Sequence, residues 1–508
     1  MDPLYDEGAV GAGDFVKIFP EDILDIIFGY LKLKQRLEAA KVCRSWRWFL
    51  LHIWRRMWQQ LDTEPFGGFT VSSYDLYADY IRYQDVQKLN LAYYRYDNGE
   101  ISKLLRRFLD NGTRSLRKLQ IASIKQLDDP LYRLIQLNGP TLRKLEFMQC
   151  GLPLNTIYNK SMELCPNLTA FYYDVDDSSL MQQRIPIDER QWYIPDRPLD
   201  LESLAISWVA GYMPIYKLIP YLPKLRSLSI GKSVQRPAEL LQAIDRYCPD
   251  IEQINFTTAR AVYGTVSKTR PAKPVLKWFN VIYQDGFDES MSIIPLLTKH
   301  HSTLERFGVM FTQSLPSLTL QTLARLGSGG SRLNNLKTIK LGGLGEAEGA
   351  TENLIAFLDA SPQLEEISLD LDDIVTDQVA AALGRLHNVR SFELIRSGIL
   401  PSSSLHQLLK EWGLFGRLQF LSFRHNDTIY DMTLMAIASY LDSLLCLDIH
   451  DCPGITDEGL SIFSGLLHNL KRLNTLMVRD CDEVSPEVLK KTQELLEQRV
   501  TMWYRYRI

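Results

Sequence analysis

One short apolar phrase recurs along most of this chain, and its spacing constrains the fold more than any other feature. It reads VQKLNLA from Val86, LRKLQIA from Leu116, LRKLEFM from Leu142, LTAFYYD from Leu168, LESLAIS from Leu201, LRSLSIG from Leu225 and IEQINFT from Ile251. Further copies begin at Leu276, Leu304, Leu336, Leu364, Val389, Leu418, Leu444 and Leu473. The period averages roughly 28 residues over about fifteen copies, and one such unit cannot bury its own apolar face. Its neighbours must stack on it. Two or three unrelated domains, which length alone would suggest at about 150 residues each, would not keep one period.

Each phrase has the alternation of a short strand. Its first, fourth and sixth residues point into a shared core, and its third, fifth and seventh point outward. After a turn comes an apolar stretch at helical spacing, such as Leu104, Leu105, Phe108 and Leu109, or Leu354, Ile355, Phe357 and Leu358. The period falls in the range of leucine-rich repeats. The expected fold is α/β: a curved solenoid over residues 86–508 with one parallel strand per repeat on its concave face.

The chain carries 57 basic and 61 acidic residues for a net charge of −4, which argues against a generally basic nucleic-acid binder. Proteins are the expected partners, with no nucleic acid. No apolar run is long enough to span a bilayer, and the acidic start MDPLYDEGAVGAGDF lacks a signal-peptide core. An intracellular chain, cytoplasmic or nuclear and away from membranes, is the expectation.

Seven cysteines are scattered without a C-x-x-C pair or zinc-finger spacing. They are expected to be reduced, with no metal or cofactor. Cys150, Cys452 and Cys481 fall at the same point after a strand, where a small, weakly hydrogen-bonding side chain fits a buried turn. These three repeats resemble the cysteine-containing subtype of leucine-rich repeats, CPGITDEGL most closely.

Residues 19–58, FPEDILDIIFGYLKLKQRLEAAKVCRSWRWFLLHIWRRMW, have another pattern and read as three short helices. Pro20 suits a first helical position, with Glu21 and Asp22 against the positive end of the helix dipole. Ile23, Leu24, Ile27, Phe28 and Leu31 form a wide stripe on the first helix. Leu37, Ala39, Ala40 and Val42 lie on the second, and Trp46, Phe49, Leu50, Ile53, Trp54 and Met57 on the third. About forty residues are too few to bury so many large side chains in a core of their own. Either a partner or the first repeats must cover them.

The order of Phe-Pro, an acidic pair, Ile-Leu, Ile-Phe, Leu, then AAKVCRSW and a later Trp resembles the F-box motif. It departs from the usual Leu-Pro opening at Phe19 and from a common acidic residue near Lys34 and Gln35. The resemblance implies that Phe19, Pro20, Ile23, Leu24, Ile27, Phe28, Leu31, Val42, Cys43 and Trp46 contact a Skp-family adaptor or support that contact. An F-box ahead of leucine-rich repeats is similar in layout to the substrate receptors of SCF-type ubiquitin ligases. In that family the adaptor bridges to a cullin and a RING subunit, and the receptor itself performs no chemistry. The implied division is a flexible tail at 1–18, an F-box at 19–60, a linker or cap at 61–85 and repeats at 86–508.

Fifteen parallel strands about 4.8 Å apart would make a surface roughly 70 Å long, enough for a folded protein. Two outward clusters stand out on it. Trp278, Asn280 and Ile282, with Arg306 and Met310 in the next repeat, combine residue types enriched in interfaces. Arg424, His450 and Arg479 share the seventh position of three consecutive phrases and should stack as a basic column suited to an acidic or phosphorylated segment. The acidic stretches YYDVDD from Tyr172 and LDLDDI from Leu369 read as solvated strand ends without calcium-loop spacing.

The interval around 174–200 is polar with three prolines and reads as a long loop, with Trp192 and Tyr193 as a clasp or a local packing pair. GSGGS from Gly327 and GGLGEAEG from Gly342 read as turns, the latter without P-loop spacing. No H-E-x-x-H, G-x-S-x-G or dinucleotide fingerprint stands out, and His300 with His301, or His450 beside Asp451, supplies no nucleophile with a positioned base. A non-catalytic substrate receptor is the expected function. A repeat scaffold acting without ubiquitin transfer is the alternative.

Overall fold

The structure is a computed structural model. It describes residues 14–62, 74, 76–91, 98–122, 129–150, 154–175, 193–207, 215–234, 237–258, 274–283, 289–311, 317–328, 333–343, 349–371, 374–396 and 400–497. The chain divides into two compact units, Met1–Leu225 and Arg226–Ile508. Trp192, most of the 174–200 loop, residues 63–73 and 75 of the 61–85 segment and the centres of both glycine-rich turns lie outside the described residues.

The first unit opens with short helical segments. These are Phe15–Ile18, Glu21–Gly29, Leu33–Ala39 and Arg44–Trp48, continued by a wide turn at Phe49–Ile53 and a tight one at Arg55–Trp58. Residues 15–18 are therefore helical where a flexible tail was expected. Pro20 caps rather than starts the second segment, its carbonyl accepting from the Ile23 and Leu24 amides at 3.1 Å each. Val42, expected on a helix, lies in the turn after Ala39.

Parallel strands come next: β1 (Gln60–Asp62), β2 (Lys88–Leu91), β3 (Lys118–Ala122), β4 (Lys144–Cys150), β5 (Ala170–Val175) and β6 (Ser203–Ile206). Five of the six coincide with phrases. The sixth, β1, does not: Gln60–Asp62 pairs with Lys88–Asn90 where a linker was expected. Trp58 and Leu61, both fully buried, occupy the first and fourth positions of this extra row. Its sixth position is Thr63, which is why the apolar phrase does not announce it.

The second unit repeats the arrangement in β7 (Ser227–Val234), β8 (Gln253–Thr258), β9 (Trp278–Tyr283), β10 (Arg306–Phe311), β11 (Thr338–Gly343) and β12 (Glu366–Leu371). It continues through β13 (Ser391–Ile395), β14 (Phe420–Arg424), β15 (Cys446–His450) and β16 (Thr475–Arg479). Each strand pairs in parallel with the next, third position to third position. In both units the second-position carbonyl accepts from two amides of the next row. Gln87, for example, receives Arg117 and Lys118 at 2.7 and 3.0 Å.

First, fourth and sixth positions are buried, as in Leu116, Leu119 and Ile121 or Leu444, Leu447 and Ile449. The helices close the core behind them, with Leu104, Leu105 and Phe108 buried in one and Leu354, Phe357 and Leu358 in another. Gly327, expected in a turn, lies in the helix Ser317–Ser328. A Cβ there would stand 2.7 Å from that of Ala360, so the close approach requires glycine.

Polar side chains satisfy the backbone between rows, as buried amides and carbonyls require. The residue before the first position is often Ser or Thr, and its hydroxyl donates to the preceding row. Thr141 reaches the Leu116 carbonyl at 2.9 Å, Thr303 that of Leu276 at 2.8 Å and Ser443 that of Leu418 at 2.9 Å. Asn138, fully buried at the end of its helix, accepts from the Leu116 amide at 3.1 Å and donates to the Thr113 and Leu134 carbonyls. His300 holds the same place on its own helix, where its Nδ1 accepts from the Val275 and Leu276 amides at 3.1 and 3.4 Å. Burial, reinforced by Lys299, lowers its pKa from 6.5 to about 4. The neutral ring is what the two amides require.

At several strand ends the chain enters a left-handed residue, among them Gln149, His425, Asp451 and Asp480. The next side chain turns inward. Cys150, Cys452 and Cys481 are buried there and donate to the carbonyls of Met148, His450 and Arg479 at 3.4, 3.6 and 3.5 Å. Asn426 does the same work in its row, reaching the Leu394 and Arg424 carbonyls at 2.8 and 2.9 Å. Cysteine at this point is packing. Burial pushes the Cys452 thiol up to about 12.

Candidate functional site

The N-terminal helices are organised around Phe28. Its ring is buried against Trp46, Phe49 and Trp54, with centroids 5.6, 5.8 and 5.9 Å away. Trp54 donates from its indole to Asp25 at 2.8 Å, and Arg56 pairs with the same carboxylate at 2.9 Å. Arg36 is buried in the middle, a role that the apolar pattern does not show. It donates to the Phe28 and Arg56 carbonyls at 3.3 and 3.2 Å, and its guanidinium lies 4.9 Å from the Trp54 ring. A cation is well placed against the carbonyl end of the helix Glu21–Gly29.

That helix has two apolar stripes. Leu24 and Phe28, 2% and 1% exposed, face the small core. Ile23, Ile26, Ile27 and Tyr30 keep the spacing i, i+3, i+4, i+7 and are all exposed, Tyr30 at 85%. Phe19, Pro20 and Cys43 are exposed too, as is Val42 at 64%; Leu31 and Trp46 are half-buried. The ten expected residues thus separate into a supporting set (Leu24, Phe28, Trp46) and an outward set (Phe19, Pro20, Ile23, Ile27, Val42, Cys43), with Leu31 between. Ile26 and Tyr30 extend the outward set; their spacing from Ile23 was the available signal. Soluble monomers seldom expose contiguous apolar surface of this kind unless something binds it.

On the strand face of the second unit, the register places Trp278 beside Arg306, Asn280 beside Gly308 and Ile282 beside Met310. The Arg306 guanidinium lies 5.3 Å from the Trp278 ring centroid, in cation–π range, and Trp278 keeps 37% of its surface exposed. Asn280 donates to Asn255 at 2.9 Å and lies across Gly308, where any Cβ would meet its oxygen. The cluster expected from residue types is therefore a cluster in space. A small pocket a few rows on is lined by Thr338, Lys340, Glu366, Ser368, Glu393 and Phe420.

Arg424, His450 and Arg479 also stack in register, but not as an open cationic surface. Asp448 is fully buried between them and takes Arg424 at 3.0 Å on one oxygen and Arg479 at 2.9 Å on the other. Glu393 approaches Arg424 at 3.4 Å, and Asp480 pairs with His450 at 2.8 Å. Asp370 corrects the expectation of a solvated strand end in the same way. It is buried and accepts from Arg396 Nε and Nη2 at 2.7 and 2.6 Å, one on each oxygen.

The second positions of this unit carry charge of alternating sign through Arg226, Glu252, Lys277, Glu305, Lys337 and Glu365. Glu252 pairs with both Arg226 and Lys277, whose hydrogen bonds hold its carboxyl below the usual range. Glu365 stands 3.6 Å from Lys337 and 3.5 Å from Arg390. Among the described residues, no helix is long and apolar enough to cross a membrane.

A family model described as F-box-like matches residues 18–60. No curated protein matches the chain. Among solved structures, an internalin, InlF, from Listeria monocytogenes is similar at 13% identity over 79% of this chain and 93% of its own, with a TM-score of 0.38. A chain of the yeast Rad7 and Elc1 complex is similar at 16% identity over 79% of this chain and 81% of its own, with a TM-score of 0.41. Residues 18–60 form an F-box-like domain. Beyond that domain, the recurring row of strand, turn and helix is a leucine-rich repeat fold.

Proposed function

We propose that the chain is the substrate receptor of an SCF-type ubiquitin ligase. Its F-box-like domain docks on a Skp-family adaptor, which brings a cullin and a RING subunit, and its repeats hold a target protein for ubiquitination and degradation. The observation that carries this reading is the second apolar stripe of the helix Glu21–Gly29: Ile23, Ile26, Ile27 and Tyr30 stay exposed although Leu24 and Phe28 already fill the core. Covering large apolar side chains is worth about 1.5–3 kcal/mol each, so four of them with Phe19 and Val42 suffice for a stable docking face. The receptor supplies proximity, raising the effective concentration of the target at a ubiquitin-loaded enzyme.

On the repeats, the patch of Trp278, Asn280, Ile282, Arg306 and Met310 is the favoured target surface. It combines a half-exposed Trp with a cation and two apolar side chains. The column of Arg424, His450 and Arg479 takes second place because the buried Asp448 and the exposed Asp480 already balance it.

Co-expression with a Skp-family adaptor tests the reading. The intact chain should co-purify with it, and the Ile23→Glu, Ile27→Glu double variant, whose changes lie outside the Phe28 core, should not. Equal capture of both would sink the proposed docking face. A folded intact chain that captures no adaptor would leave the scaffold alternative.

A further inference from the structure

The alternation of charge seen in the second unit is absent from the first rows of the other. There the second positions of β3 and β4 are Arg117 and Arg143 in succession. The third positions of β2, β3 and β4 are Lys88, Lys118 and Lys144, direct partners in the register. Arg114 adds a further cation in the turn ahead of β3. Six cations thus occupy three adjacent rows of a chain whose net charge is −4.

Glu146 is the acidic residue among the described outward positions of β2, β3 and β4, and it is shared by Lys118 at 3.1 Å and Lys144 at 2.7 Å. Arg143 donates to the Asn167 carbonyl at 3.1 Å. Among the described residues no carboxylate pairs with Lys88, Arg114 or Arg117, all three exposed. Like charges stacked at strand spacing repel one another, and directly opposed like charges destabilise a sheet. The second unit avoids this at the same register position; the first does not.

We propose that the rows β2, β3 and β4 form a docking platform for an acidic segment of a partner protein, a run of Asp and Glu lying across the strands. Nucleic acid is the less fitting occupant. Single strands are held by aromatic stacking as well as charge, and the described outward side chains here, Asn90, Gln120, Glu146 and Met148 among them, include no aromatic ring. The proposal stands apart from the adaptor reading, since neither the platform nor its test involves the exposed stripe of the N-terminal helix.

The test is fluorescence anisotropy of the full chain with a labelled peptide of ten glutamates at low salt. A ten-residue thymidine oligonucleotide serves as the nucleic-acid probe. The peptide should bind, and more tightly than the oligonucleotide. Its affinity should fall tenfold or more in the Lys88→Gln, Arg117→Gln, Arg143→Gln variant, with a shallower salt dependence. Arg117→Gln alone should weaken it two- to threefold, which serves if the triple variant folds poorly by circular dichroism. Lys277→Gln with Arg390→Gln, in the alternating ladder, should leave binding within twofold. The proposal is overturned if the intact chain does not bind the peptide, if the platform variants bind it unchanged, or if the oligonucleotide binds at least as tightly.

Discussion

The F-box-like domain and the last four strand rows leave opposite things at their surfaces, an apolar surplus in one and paired charge in the other. In the domain, a helix of nine residues carries apolar side chains on two faces, and only one face has a core to enter. In the rows β13 to β16 the conspicuous residues are charged, and nearly every one meets its complement: Asp448 lies between Arg424 and Arg479, Asp451 against His425, Asp480 against His450. A side chain's prominence in the sequence is thus a poor guide to its availability. What marks a surface for a partner is an excess left over after internal pairing, and the helix Glu21–Gly29 has one while the distal column does not.

The strongest way to break this contrast is the Ile23→Glu, Ile27→Glu variant. Two large apolar contacts at about 1.5–3 kcal/mol each imply at least a hundredfold loss of adaptor affinity, with little change in the stability of the chain. Asp448→Ala should do the reverse. Leaving Arg424 and Arg479 without the buried carboxylate should cost about 2 kcal/mol in urea unfolding, while adaptor capture stays at the level of the intact chain. If Asp448→Ala instead proves neutral, the column is not held by its internal pairing and returns as a candidate binding surface.

His300 sharpens the same point by titration. The unfolded chain takes up its proton near 6.5 and the folded chain only near about 4. Protonation therefore favours unfolding: stability from this group is complete above 6.5 and is lost as pH falls through the window towards 4, by up to about 3 kcal/mol. Replacing His300 by Asn, which serves as acceptor from the same place at Asn138, should flatten that part of the stability profile. The smallest effect is chemical. Cys43 is the one exposed thiol of seven, and burial pushes Cys165, Cys248 and Cys452 up to about 12. At pH 8 a thiol reagent should modify Cys43 fast and the others slowly, and bound adaptor should protect Cys43. Fast modification of several thiols would show that the repeats open readily.

Much of the fold was legible in advance because a period of two inside a longer period leaves little freedom. Once Leu116, Leu119 and Ile121 must be buried together, Arg117, Lys118 and Gln120 have no choice of side. The register that pairs Trp278 with Arg306 obeys the same rule. Less legible were the contacts between residues far apart in sequence. Nothing near Asp448 says that two arginines will enclose it, and nothing near Arg36 says that its guanidinium will find carbonyls at Phe28 and Arg56. The row at β1 escaped for a third reason: Thr63 stands where the apolar phrase expects a large side chain. At the N-terminal helix the pattern showed a wide stripe, but a stripe wider than its core reveals its surplus only when the core is counted.

Trp58 closes the F-box-like segment and opens the first strand row, so the joint between them has a parity. Inserting one residue between Trp58 and Leu61 would shift the strand by one step and turn Leu61 outward. Inserting two would keep its side but push the row out of step with Lys88. The two parts can therefore be exchanged between proteins as a block that includes the first rows, whereas a splice at residue 60 would separate a domain from the strand it has already begun.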